Sequence, residues 1–160
     1  GKKVGIISGY KDTCCAGERT RGVLDALSDT DYEIQFTINV TYETSITEMF
    51  MQQKPVDYLI VLETGILEEI AKILSDKQEN GMKVYGIGSS IKCVYYLDEA
   101  VIDGLIVVDG YDMGYQSVLQ ISDMLKKRLH RTKDQATDYR LLHREDIFSE
   151  DTQKFLYTFY

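Results

Sequence analysis

Two groups of side chains in this sequence are of types that could do chemistry. The first is Cys15-Ala16-Gly17-Glu18-Arg19-Thr20-Arg21, which fits Cys-x5-Arg, the spacing that sets a thiolate nucleophile and a guanidinium around one phosphate. The second is a set of hydrogen-bonding residues: Glu63, Ser89 and Asp109, each just past a strand-like apolar run, and Arg19 on the helix start that follows the first such run. In a parallel sheet, ligands sit beyond the carboxyl ends of the strands, where helix N-termini and loop amides converge. That rule selects the loop Gly9 to Glu18 with Arg19, the loop Glu63-Thr64-Gly65, the loop Gly88-Ser89-Ser90, and Asp109-Gly110.

Each residue also has a plainer reading. Arg19 suits a solvated surface charge as well as a ligand contact. Glu63 can accept from a hydroxyl, receive an amine or pair with Arg19. Asp109 can cap the helix that follows it. Ser89 and Ser90 have the composition of a turn. The Cys-x5-Arg pattern is a remote phosphatase reading, because Glu18 puts a negative charge inside a dianion cradle and six residues separate Ser8 from Cys15. Gly22 rather than Ser or Thr follows Arg21, and Pro55, the only proline, leaves no Asp-Pro acid loop. A phosphoacceptor domain needs acidic residues after its first strand and an aspartate ending its third, to hold Mg²⁺ and take phosphate. This chain offers Ser8-Gly9-Tyr10 and Glu63-Thr64. His130 and His143 have no nucleophile placed near them by sequence. Cys14, Cys15 and Cys93 lack metal-ligand spacing and read as free thiols. No catalytic residue, metal site or cofactor is expected.

The elements that must position these residues follow a β-α rhythm. Strands are expected at Lys3–Ser8, Glu33–Val40, Tyr58–Leu62, Lys83–Ile87 and Leu105–Val108, with helices at Gly17–Leu27, Ser45–Gln53 before Pro55, and Ile66 to about Lys77 before Asn80-Gly81. Ile91–Tyr96 reads as a turn and Leu97–Ile102 as a short helix. After Asp109, a helix capped by Asp112 carries an apolar stripe of Met113, Val118, Ile121, Met124 and Leu125. His130 to Thr137 is a polar hinge-like segment, Tyr139–His143 a sixth strand, and Phe148–Tyr160 a terminal helix or tail whose aromatics Phe155, Tyr157, Phe159 and Tyr160 suit packing. Strands apolar on both faces, alternating with helices, imply a mainly parallel three-layer α/β sheet covered on both sides.

Composition narrows the field further. The 160 residues are 44% apolar, enough for one core, and 26 acidic against 18 basic residues give a net charge of −8. Such a surface repels phosphate backbones, so nucleic acid is not an expected partner. The longest apolar runs are about half a membrane span, and the opening Gly1-Lys2-Lys3 enters a strand at once, as expected of a boundary within a longer protein.

Two motifs are moderately specific. Ala16-Gly17-Glu18-Arg19-Thr20-Arg21-Gly22 after the first strand, and Val107-Val108-Asp109-Gly110-Tyr111-Asp112-Met113-Gly114-Tyr115, together resemble the C-terminal lobe and late crossover of type I periplasmic binding proteins and lactose-repressor-like effector domains. The resemblance covers residues 3 to about 145. It implies a Rossmann-like ligand-binding lobe at 1–109, a crossover helix and hinge at 110–137 that belongs to an absent N-terminal lobe, and a return strand and tail at 138–160. It implies reversible, non-catalytic capture of a small polar ligand, a sugar by preference, with Arg19, Glu63, Asp109 and Ser89 as contacts. Affinity in this lobe alone should be very weak. The implied partners are the facing lobe and a membrane permease of an ABC-type transporter, in an extracytoplasmic setting. The alternatives are a cytoplasmic repressor's effector domain and an extracellular sensor. Two departures bear on the ligand. Glu63-Thr64 stands where the family has Asn-Asp, and Gly86-Ile87-Gly88 where it has Gly-Phe-Asp, which removes a hydroxyl acceptor. With its lobe absent, the stripe after Asp109 should fold back on its own sheet or pack on a second copy, as a homodimer.

Overall fold

The computed structural model describes residues 1–9, 13–43, 45–77, 81–128 and 134–157. In chain order the elements are β1 (Lys3–Ser8), α1 (Cys14–Leu27), β2 (Glu33–Asn39), α2 (Ile46–Met51), β3 (Tyr58–Val61), α3 (Thr64–Lys77), β4 (Lys83–Ile87), α4 (Ile91–Asp98), β5 (Gly104–Val108), α5 (Gly110–Lys127), β6 (Tyr139–Leu142) and α6 (Glu150–Leu156), with a 3-10 turn at Arg144–Asp146. The strands form one sheet in the order β2-β1-β3-β4-β5-β6. Its first five strands are parallel, and β6 returns antiparallel to β5, pairing Leu105 with Leu142 and Val108 with Tyr139. This is the expected three-layer α/β fold.

Alternation along the strands decides which side chains face which layer. Leu59, Val61, Val84, Leu105 and Val107 point to one face and are essentially inaccessible. There they meet Leu67, Ile70 and Ala71 of α3 and Cys93 and Leu97 of α4 in the main core, and Phe155 and Leu156 of α6 pack at its margin. The opposite face is smaller. Val4, Ile6 and Leu62 pack there with Val23 and Leu27 of α1, and the neighbouring Tyr58, Ile60 and Ile87 stay only half-buried.

Helices thus lie on both faces as expected, but among the described residues α1 alone covers the second face, and only in part. In this strand order, the helix after β5 would have to return to the α1 face to finish the second layer. It does not return. No residue of α5 is buried, and Val118, Ile121 and Leu125 are 67%, 58% and 77% exposed, so the stripe does not fold back on its own sheet.

Several element ends differ from the sequence reading because side-chain caps set them. Helix α1 starts at Cys14, since Thr13 accepts from the Ala16 amide. Helix α4 is one continuous helix because Ser90 accepts from the Cys93 amide, and Ala100 at φ 56 ends the segment that follows. Helix α5 is capped by Asp109 rather than Asp112, and Asp112 instead donates its amide to Asp109. Helix α6 begins past Phe148, which is exposed, because Ser149 caps it. His143 Nδ1 lies 2.9 Å from the Asp103 carbonyl and ties the β6 end to the turn before β5. The expectations for Tyr10, Asn80, residues 130–133, Phe159 and Tyr160 lie outside the described residues.

Glycine at position 86 is fixed by packing, because a methyl group there would come within 2.6 Å of Leu67 Cδ2 and 3.0 Å of the Val61 carbonyl oxygen. Leu67 is fully buried and has nowhere to retreat. Gly86→Ala should therefore cost about 1–3 kcal/mol by overpacking. Gly17 in exposed α1 has open space around it, so Gly17→Ala should stabilise by roughly 0.5–1 kcal/mol. Urea unfolding of the two variants checks the opposite signs, and equal effects would contradict this packing.

Candidate functional site

The sheet order reverses direction between β1 and β3, since the chain runs outward to β2 and then back to β3. Helices α1 and α3 therefore leave on opposite faces and their N-termini part, opening a crevice at the carboxyl ends of the two strands. The crevice floor is tight. The Leu62 amide donates to the Ile7 carbonyl at 2.8 Å, and a methyl at Gly9 would lie 3.2 Å from Glu63 Cγ. A side chain at position 9 fits only if Glu63 gives way by a few tenths of an ångström.

Arg19 sits one turn into α1 and reaches across this crevice, its Nη1 donating to the Leu62 carbonyl at 2.8 Å. That bond uses one of five N–H donors and ties the guanidinium to the main chain one residue before Glu63. The two side chains form no ion pair, so the Arg19–Glu63 pairing weighed from sequence is not made. Glu63 Oε2 instead accepts from the Ile66 amide at 3.0 Å, capping α3.

Across the next two strands the rim continues. Ser89 is exposed at the end of β4, while Ser90 caps α4. The Ser90 hydroxyl, with the Lys92 ammonium 3.2 Å away, holds the Glu68 carboxyl below the usual carboxylate range and locks α4 to α3. Asp109 at the end of β5 accepts from the Asp112 amide on Oδ1 at 2.8 Å and donates its own amide to the Asp138 carbonyl. Glu63, Ser89 and Asp109 thus follow the ends of β3, β4 and β5, and Arg19 reaches the end of β3 from α1 through the Leu62 carbonyl. Asp109 lies two strands from Glu63, about 10 Å at the usual strand spacing. Glu63 and Asp109 each spend one carboxylate oxygen on a helix amide, and the other oxygen offers lone pairs to hydroxyls.

Between the two carboxylates the rim is closed. A methyl at Gly88 would lie 3.1 Å from Cys93 Sγ and 3.3 Å from Thr64 Cγ2, and burial pushes the Cys93 thiol up, which makes it filler rather than a nucleophile. Sequence reasoning missed Thr64 and Cys93 in this role. It also missed Tyr111 and Tyr115, whose rings stack 6.0 Å apart at 11° on the first turns of α5, next to Asp109. Their i, i+4 spacing was the available signal.

The Cys-x5-Arg segment does not form a phosphate cradle. Cys15 and Arg21 both lie within α1, six residues apart, which is about 9 Å along the axis and roughly 240° around it. Arg21 pairs with Glu18. Among the described residues, no three His, Cys, Asp or Glu side chains are grouped to hold a metal ion, and no helix is long and apolar enough to cross a membrane.

No protein-family model matches the sequence, and no curated protein does. Solved structures do match. A carbohydrate transporter solute-binding protein from Agrobacterium radiobacter, in complex with D-arabinose, superposes with a TM-score of 0.84 at 16% identity, over 97% of this chain and 55% of that one. An ABC transporter solute-binding protein from Bacillus halodurans with bound myo-inositol gives 0.79 at 16% identity, over 96% and 55%. A protein described as a LacI transcriptional regulator, from Bacteroides fragilis, gives 0.75 at 16% identity, over 91% and 54%. The fold is therefore that of a single lobe of the type I periplasmic binding architecture, and the chain spans about half the length of the structures it matches.

Glu68 offers a direct check on the rim. Its carboxyl is held below the ordinary range, so the stabilisation is complete above the ordinary glutamate pKa of 4.5 and is lost as pH falls through the lower folded-state value. At neutral pH, Glu68→Gln should lower the melting temperature by about 1–3 °C, the scale of a partly exposed pair in a domain of this size. The difference should shrink toward zero in acid, and a pH-independent difference would mean the ion pair and its hydrogen bond contribute nothing.

Proposed function

We propose that this chain is the C-terminal lobe of a two-lobed, non-catalytic binder that captures a small polar solute, by preference a sugar. The observation that carries this reading is the convergence at the β1/β3 switch point: Arg19 clamped to the Leu62 carbonyl beside Glu63, on a lobe whose fold matches solute-binding proteins. A guanidinium fork donates to vicinal hydroxyls, and the unspent oxygens of Glu63 and Asp109 accept from them. Ser89 can do either. The exposed Tyr111–Tyr115 pair adds an apolar surface of the kind sugar rings rest on.

In this reading residues 1–109 form the ligand-binding lobe, α5 and the segment to residue 137 form the crossover, and 138–160 form the return. The stripe of α5 then packs on a facing lobe, which explains why it has no cover of its own. Closure of the two lobes excludes water and supplies the remaining hydrogen bonds. Delivery to the permease of an ABC-type transporter, outside the cytoplasm, is the preferred setting. The match to the Bacteroides fragilis regulator supports a second reading, in which the same lobe is the effector domain of a cytoplasmic repressor.

Nuclear magnetic resonance titration of residues 1–160 tests the reading. D-Arabinose, D-tagatose and myo-inositol, the ligands of the matched structures, should shift the amides of Gly9, Glu63, Ser89 and Asp109 only at millimolar concentrations, because a half-site leaves the ligand largely solvated. Arg19→Ala should remove those shifts. Saturation without rim shifts, or shifts that survive Arg19→Ala, would sink the assignment.

A further inference from the structure

One residue of the rim is placed by its neighbours rather than by its own side chain. Ser89 is exposed and, unlike Glu63, Ser90 and Asp109, caps no helix. The main chain on either side of it is fixed. Before it, the Gly88 amide donates to the Ile106 carbonyl at 3.0 Å, and the Thr64 hydroxyl donates to the Ile87 carbonyl at 3.4 Å. After it, the Ser90 hydroxyl accepts from the Cys93 amide at 3.2 Å, and the Ser90 carbonyl accepts from the Val94 amide at 3.1 Å. Ser89 links a strand end to a helix start, so its place follows from how α4 is seated against β4.

Cys93 stands at that seat. Its amide is the one Ser90 caps, and its Sγ lies 3.1 Å from where a methyl on Gly88 would stand. Gly88 is buried, and Cys93 has no exposed surface and belongs to the main core, so neither has room to retreat. Thr64 closes Gly88 from the other side with Cγ2 at 3.3 Å, but it is only half-buried, which leaves Cys93 as the fixed stop. Burial, with the charges of Glu68 and Glu63 adding to it, keeps the thiol protonated, so the stop is a matter of volume and not of charge.

We infer that Cys93 is a positioning residue for the binding rim: the volume of its side chain fixes the turn from β4 to α4 and with it the place of Ser89 as a ligand contact. The contact rests on the function proposed above. The volume argument has a consequence of its own, because positions 88 and 93 fill one space from two sides. Cys93→Ala empties the space and lets the turn settle inward, whereas Gly88→Ala overfills it and pushes the turn outward. Together the two changes exchange a sulphur on the helix for a methyl on the strand, so their effects should cancel rather than add.

The test repeats the nuclear magnetic resonance titration with D-arabinose, D-tagatose and myo-inositol on the parent chain, Gly88→Ala, Cys93→Ala and the double variant. The sugar-induced shift of the Ser89 amide should be lost in each single variant and return in the double variant, while the shifts of Gly9 and Glu63 persist in all of them. Selective loss at one residue is what separates positioning from stability, since a weakened fold would dim every rim shift together. A Ser89 shift that survives Cys93→Ala, or one that the double variant fails to restore, overturns the role and leaves the sugar reading standing. Loss of the Gly9, Glu63 and Ser89 shifts in parallel also overturns it, by reducing Cys93 to a core residue. A parent chain with no rim shifts from any sugar removes the proposed ligand and this role with it.

Discussion

A parallel sheet must be covered on both faces, and the described residues of this chain cover one fully and the other only in part, with α1. Strand alternation sends Leu59, Val61, Val84, Leu105 and Val107 under α3 and α4, where they are 0–1% exposed, and sends Ile60, Tyr85, Ile87 and Ile106 toward a layer that α1 alone begins. Side chains of this size are worth roughly 1.5–3 kcal/mol each when fully buried. A row of half-buried ones is a standing driving force for association. The fold is thus held by the α3 side and its incompleteness is written on the α1 side.

The rim depends on the same frame. Each chemically useful group there is also structural: Glu63 caps α3, Ser90 caps α4, Asp109 caps α5, and Arg19 closes on the Leu62 carbonyl. Capping fixes where each side chain stands before a ligand arrives, which reduces the ordering cost of binding. It also limits what is left to offer, since each carboxylate keeps one oxygen for its helix. The rim is preorganised and only partly spent.

Much of this was legible in the sequence, for physical reasons that differ by element. The parallel sheet showed itself because buried strands such as Val4–Ile7 and Tyr58–Leu62 are continuous apolar runs, and α3 because its stripe has helical period. The caps were harder. Thr13, Asp109 and Ser149 each sit among other Ser, Thr or Asp residues of equal capping propensity, and only the backbone geometry selects one. The open α1 face was illegible, because Ile60 and Ile106 look the same in sequence whether a helix covers them or not. The motif around Arg19 pointed to a residue that reaches the β1/β3 switch point, but its hydrogen-bond partner there, a main-chain carbonyl, leaves no trace in side-chain types.

The departure at the end of β4 bears on what the rim can hold. Gly86-Ile87-Gly88 lacks an acceptor there, and the structure gives a reason why none fits: Thr64 and Cys93 crowd Gly88 from both sides, and Thr64 reaches the Ile87 carbonyl at 3.4 Å. Acceptors are therefore displaced to the flanks, Glu63 after β3 and Asp109 after β5, with the crowded Gly88 and the exposed Ser89 between them. On the proposed function, a ligand that uses both carboxylates spans the end of β4 with its hydroxyls toward the two flanks and Ser89. In that reading the Arg19 guanidinium near one end then fixes which way round it lies. Selectivity in this lobe, on the same proposed function, follows from the spacing of two helix caps rather than from an aspartate between them.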